Sequence, residues 1–290
     1  MARGIDHIVH AVRDLDAASV FYRQLGFTVG ARNRHAPAWG TQNQLVQFSG
    51  CFIEILSIAD PTHIAPHAPD HFSFGAHNRD FLARQQGLSM LVLEGRDTPA
   101  EAAAFRAAGI GDFKIFDFER EGKRPDGTAV KVAFSLAFAR DTKAPDIGFF
   151  TCRQHYPENF WNPAFQTHAN GATGIAGIVL VAENPADHHM FLSAFAAERE
   201  MLATSSGITL KTPRGEIQAM TPQAFAERFG VAPPDTSRGA RLAAIRFAVR
   251  DRDRAAKVLA DQGVHFHKRS DRLVVGGDMA YGATLTFEQA

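Results

Sequence analysis

Thirteen histidines stand out in a chain with three tyrosines and two tryptophans. Histidine is the commonest metal ligand and the usual acid–base group near neutral pH. Most of the thirteen show no pattern and read as surface or hydrogen-bonding residues. His7 differs. It sits in the run IDHIVHAV, where strand alternation puts Ile5, His7, Val9 and Ala11 on one face and Asp6, Ile8 and His10 on the other. Glu54 is a carboxylate inside the otherwise apolar run CFIEILSI. Buried alone there it would be costly. A metal ion would remove that cost, and so would an arginine partner or a solvent-facing edge. A third donor has several candidates. His155, in FFTCRQHYPENFW, lies in an aromatic segment suited to fold over a cleft. His168 in THANGA comes next, then the group His63, His67, His71 and His77. Each could equally be a histidine satisfied by local hydrogen bonds. Cys51, opposite in parity to Phe52 and Glu54, reads as a small core residue.

The elements that must position these groups come as a repeat. Four segments share an apolar strand, a polar break, an amphipathic helix and a second strand: IDHIVHAVRDLDAASVFYRQLGFTV, LSMLVLEGRDTPAEAAAFRAAGIGDFKIF, IAGIVLVAENPADHHMFLSAFAAERE and RLAAIRFAVRDRDRAAKVLADQGVHF. Asp14 and Gly26, Asp97 and Gly109, and Asp251 and Gly263 are each twelve residues apart. The Asp can cap the helix start and the Gly can take the left-handed position that closes it. The third copy offers Asn184 as cap and lacks the Gly.

After each helix come strand-like stretches: FTVGARNRH, NQLVQFSG and CFIEILSI in the first copy, and FKIFDFERE and AVKVAFSLAFAR around the turn Pro125-Asp126-Gly127 in the second. The third has ITLKTPRGEIQAM; the fourth has VHFHKRS, RLVVGGD and ATLTFEQ. The module is βαβββ, four times, and a lone module exposes an apolar sheet face that must pair. The expected class is α+β, with modules paired into two domains over 1–140 and 173–290. One-with-two and three-with-four is the simpler pairing. The aromatic connection 141–172 packs against a domain on this reading, because five aromatic side chains fall between Phe150 and Phe165.

Composition narrows the function. At 290 residues, 45% hydrophobic and 21% charged, the chain buries a sizeable core and is not disordered. Lys and Arg total 31 against 31 Asp and Glu, so nucleic acid is not an expected partner. Two cysteines exclude a disulfide framework or a four-thiolate zinc site and suit a reducing cytoplasm. The N-terminus has no signal-peptide layout, and no apolar run is long enough for a membrane span. Cytoplasmic localisation is the expectation.

Four βαβββ modules opening with His7 in the strand, then Asp14-Leu15, Phe21-Tyr22 and Leu25-Gly26-Phe27, resemble the vicinal oxygen chelate superfamily, and within it the glyoxalase-like domain proteins. The resemblance implies curled mixed sheets that form a cleft, with a divalent metal (Zn, Ni, Mn or Fe(II)) held by residues on first and last strands of modules. His7 falls at the first-strand ligand position and Glu54 at the last-strand carboxylate position. His155 is the first choice for a third ligand. The first strands of modules two and four, LSMLVLEG and LAAIRFAV, offer no histidine, a departure from the dioxygenase pattern. Glu288 does not align with Glu54, whose counterpart in module four is Thr286, so modules two to four read as structural or substrate-covering.

Three functions follow from that resemblance. The first is a metal-dependent lyase or isomerase that chelates vicinal oxygens of a small substrate and stabilises an oxyanion, with Glu54 as ligand and base. Phe149, Phe150, Tyr156, Phe160, Trp161 and Phe165 would wall its pocket, with His168 nearby. The second is an extradiol-type Fe(II) dioxygenase; the third is a non-catalytic protein that sequesters a small molecule. Dimerisation suits such folds, although no residue pattern marks an interface.

Overall fold

In the computed structural model, which describes residues 1–123, 127–269 and 271–290, the repeat becomes four βαβββ modules in two eight-stranded curled sheets. The first half contributes β1 (Ile5–Ala11), β2 (Asn33–Arg34), β3 (Thr41–Gln47), β4 (Phe52–Ile58), β5 (Gly87–Glu94), β6 (Phe116–Lys123), β7 (Ala129–Ala139) and β8 (Gly148–Gln154). The second contributes β9 (Ala172–Val181), β10 (Met201–Thr204), β11 (Gly207–Lys211), β12 (Glu216–Met220), β13 (Arg241–Val249), β14 (His267–Arg269), β15 (Arg272–Val275) and β16 (Thr284–Gln289). The sheet orders, β2-β3-β4-β1-β5-β8-β7-β6 and β10-β11-β12-β9-β13-β16-β15-β14, are one pattern used twice. Module one pairs with two through antiparallel β1 and β5, and three with four through β9 and β13.

The helices are α1 (Leu15–Gln24), α2 (Phe74–Arg84), α3 (Thr98–Ala107), α4 (Pro157–Phe160), α5 (His189–Ala196), α6 (Pro222–Phe229) and α7 (Arg252–Asp261). Among the described residues, no helix is long and apolar enough to cross a membrane. Asp14, Asp97 and Asp251 cap α1, α3 and α7 by accepting N–H groups of the first turn. Gly26, Gly109 and Gly263 close them at positive φ. In the third module Asn184 makes no side-chain cap bond, and Ala197 takes the left-handed position at φ 51°.

Several segments differ from the sequence expectation. GFFTCRQ, read as part of the connection 141–172, is β8, the last strand of module two. Buried on both faces over most of its length, it shows no alternation to mark it. FTVGARNRH yields only the two-residue β2. Helices α2 and α6, which join the modules of each half, are absent from the sequence reading. Pro125 and Asp126 of the expected turn lie outside the described residues.

One apolar core runs through both halves. The Phe27 ring lies 4.8 Å from Phe247 and 6.0 Å from Phe287, and Phe149 packs on Phe191 and Phe195 of α5. Polar contacts cross the same boundary: His188 Nδ1 lies 2.6 Å from Asp141 Oδ2, and buried Asp146, paired with Arg84 of its own half, also meets Arg238 of the other.

The opposite faces of the two sheets differ. In the second half that face is filled. Phe225 and Phe229 of α6 pack on Val179, Val181 and Val274, and Arg246 is held by Glu288, Glu216 and Gln218. In the first half it is hollow. Both halves share a β-bulge. Ile5 pairs with Leu93 but His7 with Val92, so Asp6 is an extra residue in β1; Ala176 is the extra residue at the same place in β9.

Candidate active site

The hollow of the first sheet, a cavity of about 80 Å³ that opens to solvent, has a polar floor. His7 on β1 and Glu54 on β4 meet there, with Nε2 3.8 Å from Oε2 and both side chains nearly enclosed. The His7 ring is fixed from several directions. Phe52 stacks on it at 4.3 Å and Phe150 meets it edge-on at 5.6 Å. Its Nδ1 lies 2.5 Å from Asp6 Oδ1, and the second Asp6 oxygen accepts from Gln154 Nε2 at 3.1 Å. Asp6 is the extra residue of the bulge. A carboxylate that accepts a hydrogen bond from Nδ1–H leaves the Nε2 lone pair facing Glu54.

A second imidazole reaches the floor from the end of β2. His35 Nε2 lies 3.6 Å from Glu54 Oε1, and its Nδ1 lies 2.7 Å from Thr41 Oγ1. Burial lowers the His35 pKa, with Glu54 opposing, so this ring is neutral at pH 7. Asn43 Nδ2 donates to Glu54 Oε1 at 2.6 Å and lies 3.1 Å from His35 Nε2. The β3 register explains the grouping, because Asn43 pairs with Asn33 on one side and Leu45 with Glu54 on the other. Above the floor, Trp39 stacks on Phe74 at 4.5 Å and on Phe118 at 5.5 Å; Phe134, Phe150 and Phe160 complete the apolar wall.

The structure brings together His7, Glu54, Phe150 and Phe160 of the residues read from sequence. Trp161 stands behind the wall, against Phe52 and Phe160, and lines an adjoining groove with Phe165. The others lie elsewhere. His155 is exposed, and its Nε2 lies 2.7 Å from the Ser135 hydroxyl, which also donates to Asp117. It caps the end of β8 and does not face Glu54. His168 is a buried strut: Nδ1 accepts from the Thr28 N–H at 3.1 Å and Nε2 donates to the Gln47 carbonyl at 2.9 Å. Tyr156 is exposed at the start of α4, and Phe149 faces the shared core. His63 and His67 are exposed, His71 and His77 are half-buried, His77 against the Ser89 carbonyl; none lines the cavity. His35, Asn43, Trp39 and Arg120 escaped sequence reading. The only signal for His35 was alternation with Asn33, and a two-residue strand is too short to display it.

A family model described as a glyoxalase-like domain matches residues 5–195. The chain belongs to this family, within the vicinal oxygen chelate superfamily. Solved structures share the fold of this glyoxalase-like protein along its whole length. A hypothetical protein from Staphylococcus aureus is 11% identical, with a TM-score of 0.68 over 99% of this chain and 100% of that one. A mutant 4-hydroxymandelate synthase from Streptomyces coelicolor is 13% identical, with a TM-score of 0.62 over 99% and 92%. A fusion of a xylose isomerase-like TIM barrel with a 4-hydroxyphenylpyruvate dioxygenase is 15% identical, with a TM-score of 0.52 over 100% and 49%. No curated protein matches the sequence.

The glyoxalase-like fold implies a divalent ion, and the donors on the floor can be compared with that demand. Among the described residues, no three histidine, cysteine or acidic side chains are gathered closely enough, as placed, to hold a metal ion. The Asn43 amide stands between His35 and Glu54 and bonds toward both. The donor chemistry nevertheless fits. Two imidazole Nε2 atoms, each with its Nδ1 engaged by an outer oxygen, flank the two oxygens of one carboxylate.

Proposed function

We propose that the protein is a divalent-metal-dependent enzyme that moves a proton on a small organic substrate, in the manner of a lyase or isomerase, within the first-half cavity. The observation that carries this is the placement of His7 and His35 Nε2 against the two oxygens of Glu54, under an aromatic wall. His7, His35 and Glu54 would hold the ion, whether Zn, Ni, Mn or Fe(II). When bound, it supplies Lewis-acid polarisation of neighbouring substrate oxygens and stabilises the negative charge that develops on them.

The remaining work belongs to the chain. Asp6 and Thr41 orient the two imidazoles by engaging their Nδ1 atoms. Asn43 donates to Glu54 Oε1 and leaves Oε2 as the freer oxygen, the position from which a base can take a substrate proton. The wall of Trp39, Phe74 and Phe118 keeps bulk water from that oxygen, which strengthens each electrostatic contact on the floor. Two histidines with one carboxylate are also the donor set of non-haem iron oxygenases. That composition favours an Fe(II) dioxygenase as the second reading.

Elemental analysis of the full chain tests both. Wild type, His7→Ala, His35→Ala and Glu54→Gln are stripped with chelator, reloaded in turn with Zn, Ni, Mn and Fe(II), and desalted. The expected result is about one ion per chain in wild type and loss in all three variants. Solvent-deuterium incorporation into a substrate panel supports the proton-transfer reading; oxygen uptake with Fe(II) supports the second. Wild type that takes up none of the four ions sinks both and leaves the cavity as a ligand-binding shell.

A further inference from the structure

Among the described residues, Arg120 is the one guanidinium that lines the cavity. It follows Phe116 and Phe118 along β6 at the two-residue period that turns all three toward the same side of the sheet. It is half-buried, and its guanidinium makes no ion pair or hydrogen bond with any described residue. Its flanking residues do not help: Glu119 is committed to Lys131 at 2.7 Å, on the strand's other face. Arg120 also borders the outer groove, together with Asn33, Leu45 and Phe160, so it stands where the inner cavity opens into that groove. Among the described residues, Glu54 is the only carboxylate lining the inner cavity. It is already engaged by Asn43 and faced by two histidines.

A cation withdrawn this far from water without a partner costs free energy unless a ligand supplies the countercharge. A guanidinium at the rim of an aromatic chamber offers forked N–H donors that match a carboxylate. We propose that Arg120 recognises the anionic group of the cavity's ligand, and that this ligand is a small molecule with an aromatic or flat apolar body and a carboxylate distal to the His7–Glu54 floor. The apolar body lies against Trp39, Phe74 and Phe118; the carboxylate meets Arg120 at the mouth. The proposal rests on the cavity being the substrate site and not on the presence of a metal.

Isothermal titration calorimetry on the full chain tests it with matched probes: phenylacetate and 3-phenylpropionate, their primary amides, and phenyl phosphate. Wild type, Arg120→Met and Arg120→Lys are each measured stripped of metal and loaded with zinc. At least one acid should bind wild type roughly tenfold or more tighter than its amide, with and without zinc. Arg120→Met should erase that preference while amide affinity and zinc content stay at wild-type values, and Arg120→Lys should keep part of it. Acids and amides that bind wild type equally, an unchanged preference in Arg120→Met, or no heat with either acid would overturn the proposal. Phenyl phosphate tighter than both acids would overturn the carboxylate assignment. Failure of zinc to bind wild type bears on the proposed reaction alone, because the acid–amide comparison is also made without metal.

Discussion

His10 is fully enclosed and His77 is half-buried, and burial pulls both imidazoles down to about 4. Each is used as a neutral hydrogen-bonding group, His10 between the Tyr22 hydroxyl and the Tyr281 carbonyl, His77 against the Ser89 carbonyl. An unfolded chain returns them to about 6.5. Above that pH both states are neutral and stability is unaffected. Between about 6.5 and 4 the unfolded chain binds protons that the folded one refuses, so stability falls with acidification and levels off below about 4. At pH 5 each contributes roughly 2 kcal/mol of loss. Urea unfolding at pH 7.5 and pH 5 should show it, and His77→Gln should lose less than wild type over that interval. An identical drop in the variant would remove His77 from the account. The candidate site was legible unevenly at this scale. His7 and Glu54 sit in seven-residue strands where parity is visible. His35 follows a two-residue strand, and Arg120 shows its lack of a partner only once the fold has placed its neighbours.

The Asp–Gly spacing of the helices was readable because capping is local chemistry, settled within one turn. The same local rule separates three substitutions. Gly109 has φ +69° with open space around it, so Gly109→Ala should cost only the left-handed penalty, about 1 kcal/mol. Gly26 has φ +86°, and a Cβ there would come within 2.7 Å of Val258 and 3.0 Å of Asn170. Gly26→Ala should therefore cost clearly more, about 2 kcal/mol or above. Ala197→Gly removes the left-handed penalty and gives back part of it as chain entropy, for a net gain of about 0.5 kcal/mol. Urea midpoints of the three variants check the ranking; equal losses at Gly26 and Gly109 would mean that the contact with Val258 relaxes freely. Strand β8 was not legible for the opposite reason: it is buried on both faces over most of its length, which leaves no alternation. Helices α2 and α6 carry local signals, Ser73 and Thr221 as N-caps and Gly230 as the left-handed close, but these fall outside the Asp–Gly spacing of the repeat.

The paired sheets were legible as a fold because four copies of one module demand partners. That the halves share a single core was not. Phe27 belongs to module one and Phe247 and Phe287 to module four, and nothing in their local sequence says that they touch. The consequence is mechanical coupling between the half with the cavity and the half without. Trp39 and Trp161 are the only tryptophans and both lie in the first half, so their fluorescence reports that half alone, whereas far-UV dichroism reports both. Phe247→Ala, a second-half substitution, should destabilise by about 3–5 kcal/mol, and the two signals should shift together. A fluorescence midpoint that stays at its wild-type value would show the halves unfolding separately.

The bulge shared by β1 and β9 has a bearing on design. Where the first half reads Ile5-Asp6-His7, the second reads Ile175-Ala176-Gly177, with the extra residue at the same place. Gln218 stands opposite Val179 as Glu54 stands opposite Val9. A Cβ on Gly177 would come within 3.1 Å of Arg246, which fills the space a histidine ring would need. The second sheet is thus a spare mould of the first, with the register kept and the chemistry replaced by a guanidinium. Transplanting Asp, His and Glu to 176, 177 and 218 while trimming Arg246 and its two acidic partners would ask how much of an active site is backbone and how much is side chain.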